Sequence, residues 1–160
     1  MASDSKNARK AVESRYNSLY ANAPAERSEF GWPLCVYCGD PADTIDHVPP
    51  LSRVEDYRAL GVVERYLRVK ACRPCNLVLG ATLQHDVFER IDEAKQIFRK
   101  RLGKRDTGYV WAEDDLVALG PNLRSHVGSA MRKTQSLIRR IDYRGGYRAI
   151  LGMVRDIDNG

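Results

Sequence analysis

Two short stretches decide the fold of this chain: CVYCGDPADTIDHVPP at residues 35–50 and KACRPCN at residues 70–76. Each stretch holds two cysteines separated by two residues, and 33 residues lie between the pairs Cys35/Cys38 and Cys72/Cys75. A turn of this kind brings two thiolates to one ion, and two such turns complete the tetrahedral shell that Zn2+ prefers. The spacing therefore predicts one zinc site. Because all four ligands are protein thiolates, this zinc is expected to be structural rather than catalytic.

Composition bears on the state of these cysteines. The chain has 160 residues, 43% hydrophobic and 29% charged, which suits one domain or one core with helical additions. It contains no run of about 18 apolar residues, and its N-terminus, MASDSKNARK, lacks the apolar core of a signal peptide. We therefore expect a cytoplasmic protein without a membrane partner, where disulfides are rare. A redox motif accounts for one pair but not two, and buried free cysteines do not account for the repeated gap.

The rest of the pattern is mainly helical. Residues 44–48 and 66–69 are short strand-like runs, and Pro49-Pro50 ends the first of them. Asn76 is expected to open a short helix. Apolar residues at helical spacing predict further helices at residues 5–22, 83–102, 113–119, 122–141 and 147–154. The expected fold class is α+β and mostly helical, with an N-terminal helix and a C-terminal helical extension.

The dipeptide Asp46-His47 lies between the cysteine pairs and has the chemistry of a hydrolytic site. Histidine titrates near neutrality and suits a general base, whereas carboxylate and amide oxygens suit a hard ion such as Mg2+. Neighbours on a strand point to opposite faces. A twisted or ending strand beside Pro49 is therefore needed if both side chains are to reach one ion.

The order Cys-x2-Cys, Asp-His-x-x-Pro, Cys-x2-Cys-Asn resembles the zinc-stabilised HNH endonucleases, and Asp-His-Val-Pro-Pro resembles small HNH proteins of bacteriophages and bacteria. The likeness covers about residues 34–80. It implies a ββα-metal core at 34–82, preceded by an N-terminal helix and loop at 1–33 and followed by a basic helical extension packed on the core at 83–160. It further implies that His47 is the general base and that Asp46 and Asn76 hold a catalytic Mg2+ or Mn2+, in a bacterial host cell.

One position departs from that family. Its members usually carry an Asn a few residues before the second cysteine pair, where it orders the loop bearing the histidine, and residues 64–71 contain none. Either another group orders that loop or the site is altered. His85 is an alternative for the final metal ligand, with a surface position at a helix start as its other interpretation. His126 is interpreted as a structural or surface residue.

Positive charge is concentrated in the second half of the chain. The net charge is +5, and the segment from Arg90 to Arg148 holds 14 basic and 7 acidic residues. This favours a polyanion, double-stranded DNA bound with little sequence specificity, although ordinary solvated helix faces are the alternative. The leading expectation is a metal-dependent DNA endonuclease. The alternatives are a zinc-stabilised nucleic-acid-binding module without cleavage and a phage DNA-packaging accessory protein beside a terminase. Whether the protein nicks one strand or cuts both depends on its oligomeric state, and a homodimer is one expected state.

Overall fold

The computed structural model describes residues 7, 10–12, 14–63, 65–105 and 111–158. It is a mixed α+β fold that is mostly helical, with one small sheet. The strands are β1 (Ala21–Asn22), β2 (Thr44–Val48) and β3 (Leu67–Ala71). The helices from residue 54 onward are α1 (Val54–Leu60), α2 (Arg73–Leu79), α3 (Val87–Gly103), α4 (Glu113–Ala118), α5 (Pro121–Asp142) and α6 (Gly145–Asp158).

The sheet has the order β1-β3-β2, so β2 is an edge strand. β2 runs antiparallel to β3 from the pair Thr44/Ala71 to the pair Val48/Leu67, and β1 runs parallel to β3. Because strand side chains alternate between faces, Leu67, Val69 and Ala71 share the buried face with Asp46 and Val48. Ile45 and His47 lie on the other face.

Helix α3 covers the buried face. Its apolar stripe of Val87, Ile91, Ala94 and Phe98 joins the same core as β3 and all four cysteines. Asp86 caps the helix by accepting hydrogen bonds from the backbone N–H groups of Phe88 and Glu89, at 2.7 and 3.2 Å, which satisfies two otherwise unpaired donors. α5 and α6 pack on α3. Residues 34–82 and 83–160 therefore contribute to one hydrophobic core.

The structure confirms the strand over Thr44–Val48 and shifts several other boundaries. The N-terminal helix was expected to reach Asn22, but the chain makes a 3-10 turn at Asn17–Leu19 and then forms β1. Pairing with β3 replaces helix formation there. The backbone N–H groups of Ala21 and Ala23 donate to the backbone carbonyl oxygens of Tyr66 and Arg68, both at 2.9 Å. The expected start of this helix lies outside the described residues.

The helix expected from residue 83 begins at Val87, and two other helix starts were placed two or more residues too late. α2 begins at Arg73 rather than Asn76, because Cys72 is its N-cap and Pro74 fits its first turn. α6 begins at Gly145 rather than Tyr147. A side chain at Gly146 would collide with the carbonyl oxygen of Val36, so this glycine lets the helix start approach the first cysteine turn. None of the helices within the described residues is sufficiently long and apolar to span a membrane.

Candidate functional site

The four cysteines form one buried cluster. Their sulfur atoms all lie within 4.8 Å of one another, and the Cys38 and Cys72 sulfurs are 3.6 Å apart. Four thiolates bound at about 2.3 Å around a tetrahedral Zn2+ have sulfurs separated by about 3.8 Å. The geometry fits such an ion, so the cluster could hold a structural metal such as zinc.

Local backbone structure positions both pairs of sulfurs. In the first turn the N–H of Gly39 donates to the carbonyl of Cys35 at 2.9 Å, and Gly39 has a φ of 75° that a side chain would strain. The N–H of Val36 donates to the carbonyl of Lys70 at 2.9 Å and fastens this turn to β3. In the second turn, the N–H of Asn76 donates to the carbonyl of Cys72 at 3.0 Å. The helix that carries Asn76 therefore starts at the cluster.

The cluster is electrostatically unusual. Thiol contacts, with Cys35 the largest cause, lower the pKa of Cys72 and raise that of Cys75. Arg140 of α5 lies close by and forms an ion pair with Asp40 at 2.6 Å. Burial lowers the pKa of Arg140, but the charges of Asp40 and of the cysteines raise it above its ordinary value. A cation here complements a zinc tetrathiolate, whose formal charge is minus two.

Asp46 lies in the core and is held by long-range partners. Its Oδ2 accepts a hydrogen bond from the Tyr37 hydroxyl at 2.6 Å and two from the Arg90 guanidinium, at 2.8 and 3.2 Å. Asp46 is 5% exposed and Arg90 is fully buried. Arg90 also donates to Thr82 Oγ1 and to the carbonyl of Gly80, at 2.9 and 3.1 Å. The ion pair thus joins α3 to β2, and all three bonds to the carboxylate end on one oxygen.

His47 lies on the other face of β2 and is half-buried. The ring of Tyr20 packs edge-on against its ring, with centroids 5.0 Å apart. The Tyr20 hydroxyl donates to the carbonyl of Pro49 at 2.8 Å, and Tyr66 packs edge-on against Tyr20 at 5.4 Å. Tyr20 is buried and therefore fixes both the imidazole and the turn that follows it.

Asp46, His47 and Asn76 border one groove of about 840 Å3, here called the edge groove, along the free edge of β2. The Asn76 amide nitrogen donates to the carbonyl of Ile45 at 3.2 Å and to Thr44 Oγ1 at 3.3 Å. Asn76 is thereby docked against the unpaired edge. Asp43 and Arg73 line the groove too, and Asp43 accepts a 2.7 Å hydrogen bond from the Arg73 backbone N–H. That bond fixes the start of α2 beside β2.

The other two histidines lie elsewhere. The His85 ring packs against the Tyr57 ring, with centroids 5.5 Å apart. It lines a separate cavity with Val62, Phe88 and Met153. The structure therefore does not bring His85 to the edge groove. His126 is exposed on α5.

Sequence reasoning missed Tyr20, Tyr37 and Arg90, which hold Asp46 and His47 in place. For Arg90 a signal exists: it falls within the stripe of Val87, Ile91 and Ala94, so helical periodicity alone places a charge on the buried face. A charge in that position needs a buried partner of opposite sign. Tyr20 and Tyr37 carry no comparable local signal.

Comparison of the chain with known protein families, with curated proteins and with solved structures gave no match. The fold and site therefore define a class by their own features. This is an α+β protein with a buried four-cysteine cluster able to hold a metal, next to a groove bordered by Asp46, His47 and Asn76.

Proposed function

We propose that this chain is a metal-dependent DNA endonuclease of the HNH type, built on a structural zinc site. The observation that carries the proposal is the convergence of Asp46, His47 and Asn76 on one groove beside the cysteine cluster. These are the residues at which the HNH signature places its metal ligands and its base. The resemblance extends over residues 34–80, and the arrangement of β2, β3 and α2 supports reading that segment as a ββα-metal core.

The chemistry follows from the residue types. His47 borders the groove and would take the proton from a water that attacks the phosphodiester. Asp46 and Asn76 offer carboxylate and amide oxygens, the ligands preferred by Mg2+ and Mn2+. When bound, such an ion would supply positive charge against the phosphate and the leaving oxygen. Arg73 adds a cation at the rim of the same groove.

The partners of Asp46 and His47 support a preorganised site. The bonds from Tyr37 and Arg90 converge on Oδ2 of Asp46, so Oδ1 is the oxygen proposed for the metal. Tyr20 fixes the orientation of His47 through ring contact and the bond to Pro49. A base and a ligand held in this way need little reorganisation when the substrate binds.

The test is a nicking assay on supercoiled plasmid with zinc-loaded protein and added Mg2+ or Mn2+. Wild type is expected to nick, and His47→Ala is expected to lose about 10²- to 10⁴-fold in rate, since it removes the base. His126→Ala is the matched control because His126 is exposed on α5. His85→Ala tests the alternative ligand and is also expected to retain activity. Equal loss in all three variants would show that the histidines act through stability alone.

One observation favours a second function, a zinc-stabilised nucleic-acid-binding module without cleavage. Asp46 is engaged in a buried ion pair with Arg90, 2.8 Å apart, which offsets the negative charge that a catalytic cation requires. A residue in such a pair stabilises the packing of the core, whether or not it also binds a metal. If the protein binds plasmid in the presence of Mg2+ and of Mn2+ but nicks it with neither ion, this function is established and the endonuclease proposal is refuted.

A further inference from the structure

A second groove lies between the end of α3 and the middle of α5, with a volume of about 820 Å3. Of the described residues that line it, none is a carboxylate and six are cations: Arg101, Lys104, Arg105, Arg132, Lys133 and Arg140. The hydroxyls of Ser129 and Ser136 complete its polar lining. This groove, here called the cationic cleft, differs from the edge groove, whose lining residues include Asp43 and Asp46 as well as Arg73.

The two walls of the cleft each have helical spacing. On α5 the lining residues from Ser129 to Arg140 recur three and four positions apart, with adjacent pairs at 132–133 and 136–137, which places them on one face. Arg101, Lys104 and Arg105 have the same spacing at the end of α3. Because α3 packs on α5, the two basic faces meet. Like charges brought together in this way repel, so the cleft is better suited to binding an anion than to stabilising the fold.

Most of these cations are not neutralised within the protein. Arg140 is paired with Asp40 at 2.6 Å. Among the residues that the structure describes, none of the other five forms an ion pair with a carboxylate. Within the described part of the chain, five cations of the cleft are therefore available to a ligand, together with two hydroxyl donors.

We infer that the cationic cleft binds the sugar-phosphate backbone of the nucleic acid that is cut in the edge groove. The inference rests on the proposed function for the identity of the polyanion. Arginine, lysine and serine side chains are the usual donors to phosphate oxygens, and such contacts give affinity and register without reading sequence. The cleft is accordingly a non-specific holding site, separate from the place of hydrolysis.

Helix α3 runs from a residue that contacts Asp46 to residues that line the cleft. Arg90 near its start contacts Asp46, and Arg101 lies at the cleft eleven residues later. At 1.5 Å per residue this corresponds to about 16 Å along the helix axis. Successive phosphates on one strand are about 3.4 Å apart along a duplex, so a strand lying parallel to α3 would cover this axial distance in about five nucleotide steps.

The test measures binding of a fluorescent DNA duplex, two helical turns long, to zinc-loaded protein without added Mg2+ or Mn2+. Arg132→Gln/Lys133→Gln removes two exposed cleft cations. Arg99→Gln/Lys100→Gln is the matched control, since it removes one arginine and one lysine that are exposed on α3 but do not line the cleft. Circular dichroism and thermal unfolding establish that both variants fold as wild type does.

Each lost phosphate contact makes the slope of log binding constant against log salt concentration shallower by about 0.9. At 0.1 M salt this corresponds to an affinity about eightfold weaker. The cleft variant is therefore expected to bind about 60-fold more weakly and to lose about 1.8 from the slope, with the control slope unchanged. Equal losses in the two variants, an unchanged cleft variant, or a wild type that does not bind would overturn the inference. An RNA duplex run in parallel identifies which backbone is preferred. Failure of the endonuclease proposal is a separate result, namely binding through the cleft without nicking.

Discussion

Replacing Arg90 by methionine would test the contact that fixes Asp46. The substitution keeps a long side chain but removes every hydrogen bond of the guanidinium, including both to Asp46 Oδ2. Among the described residues, Tyr37 would then remain as the one hydrogen-bond donor to a carboxylate that is 5% exposed. Breaking a buried ion pair from one side costs about 3–5 kcal/mol, because the remaining charge is buried and uncompensated.

That cost is large for a chain of this size. Domains are stable by about 5–15 kcal/mol, and for 160 residues each kcal/mol corresponds to about 2–4 °C in Tm. Arg90→Met is therefore expected to lower Tm by about 6–20 °C. Arg99→Met is the control, because Arg99 is exposed on the same helix and its loss should cost no more than about 0.5 kcal/mol.

Urea unfolding of zinc-saturated protein, followed by circular dichroism and fluorescence, gives the free energy of unfolding for each variant. A double-mutant cycle with Asp46→Asn then isolates the pair. Arg90→Met/Asp46→Asn removes both charges, so its cost should fall short of the sum of the single costs by about 2–3 kcal/mol. Additive costs, or a loss below about 1 kcal/mol in Arg90→Met, would refute the claim that this ion pair holds α3 to β2.

Three further outcomes are expected. Tyr20→Phe removes the hydrogen bond to the carbonyl of Pro49. It should lower the free energy of unfolding in urea by about 1 kcal/mol and slow plasmid nicking about tenfold. Unchanged nicking would contradict a positioning role for Tyr20. Cys75→Ser should lose the bound metal and most helical dichroism, since metal binding contributes about 10 kcal/mol to folding; a metal-free variant with unchanged stability would contradict a structural site. Burial raises the pKa of Tyr37 and of Tyr143 above the ordinary value of about 10. The two protonated hydroxyls therefore contribute their full share to the free energy of unfolding below about pH 10, and this contribution is lost as pH rises through the folded-state pKa values. Because the chain has 8 tyrosines, the absorbance of Tyr37 and Tyr143 is taken as the difference between wild type and Tyr37→Phe/Tyr143→Phe. That difference should appear together with the loss of helical dichroism, and its appearance without unfolding would contradict this.

The cysteine cluster could be predicted because its determinants are local. A two-residue gap closes a turn around one ion, and two such turns need each other to complete four-fold coordination. The fold then brings the pairs together across 33 intervening residues, with Cys38 and Cys72 at 3.6 Å. The strand over Thr44–Val48 and the apolar stripe of α3 could also be predicted from the sequence, because periodicities of two and of 3.6 residues are properties of short segments.

The partners of the candidate site could not be predicted in this way. Arg90 meets Asp46 across 44 positions of sequence, and Tyr20 meets Pro49 across 29. Such contacts depend on how the helices pack and on β1 joining the sheet beside β3. β1 itself is only two residues long and has no recognisable strand pattern. Its formation depends on hydrogen bonds offered by β3, which is a tertiary effect that overrides the helical preference of the preceding residues.

The position of β2 in the sheet decides whether Asp46 and His47 can serve one site. Their side chains leave opposite faces of a regular strand, so in a central strand they would be separated by the sheet itself. β2 is instead the edge strand, with β3 on one side and the edge groove along the other. Asp46 and His47 both border the groove at this edge, and Asn76 bonds there to the outward carbonyl of Ile45. β2 ends at Val48, directly before Pro49, as expected, and His47 is its penultimate residue. Adjacent residues share a groove here because of sheet topology, and local sequence does not encode which edge of a strand remains unpaired.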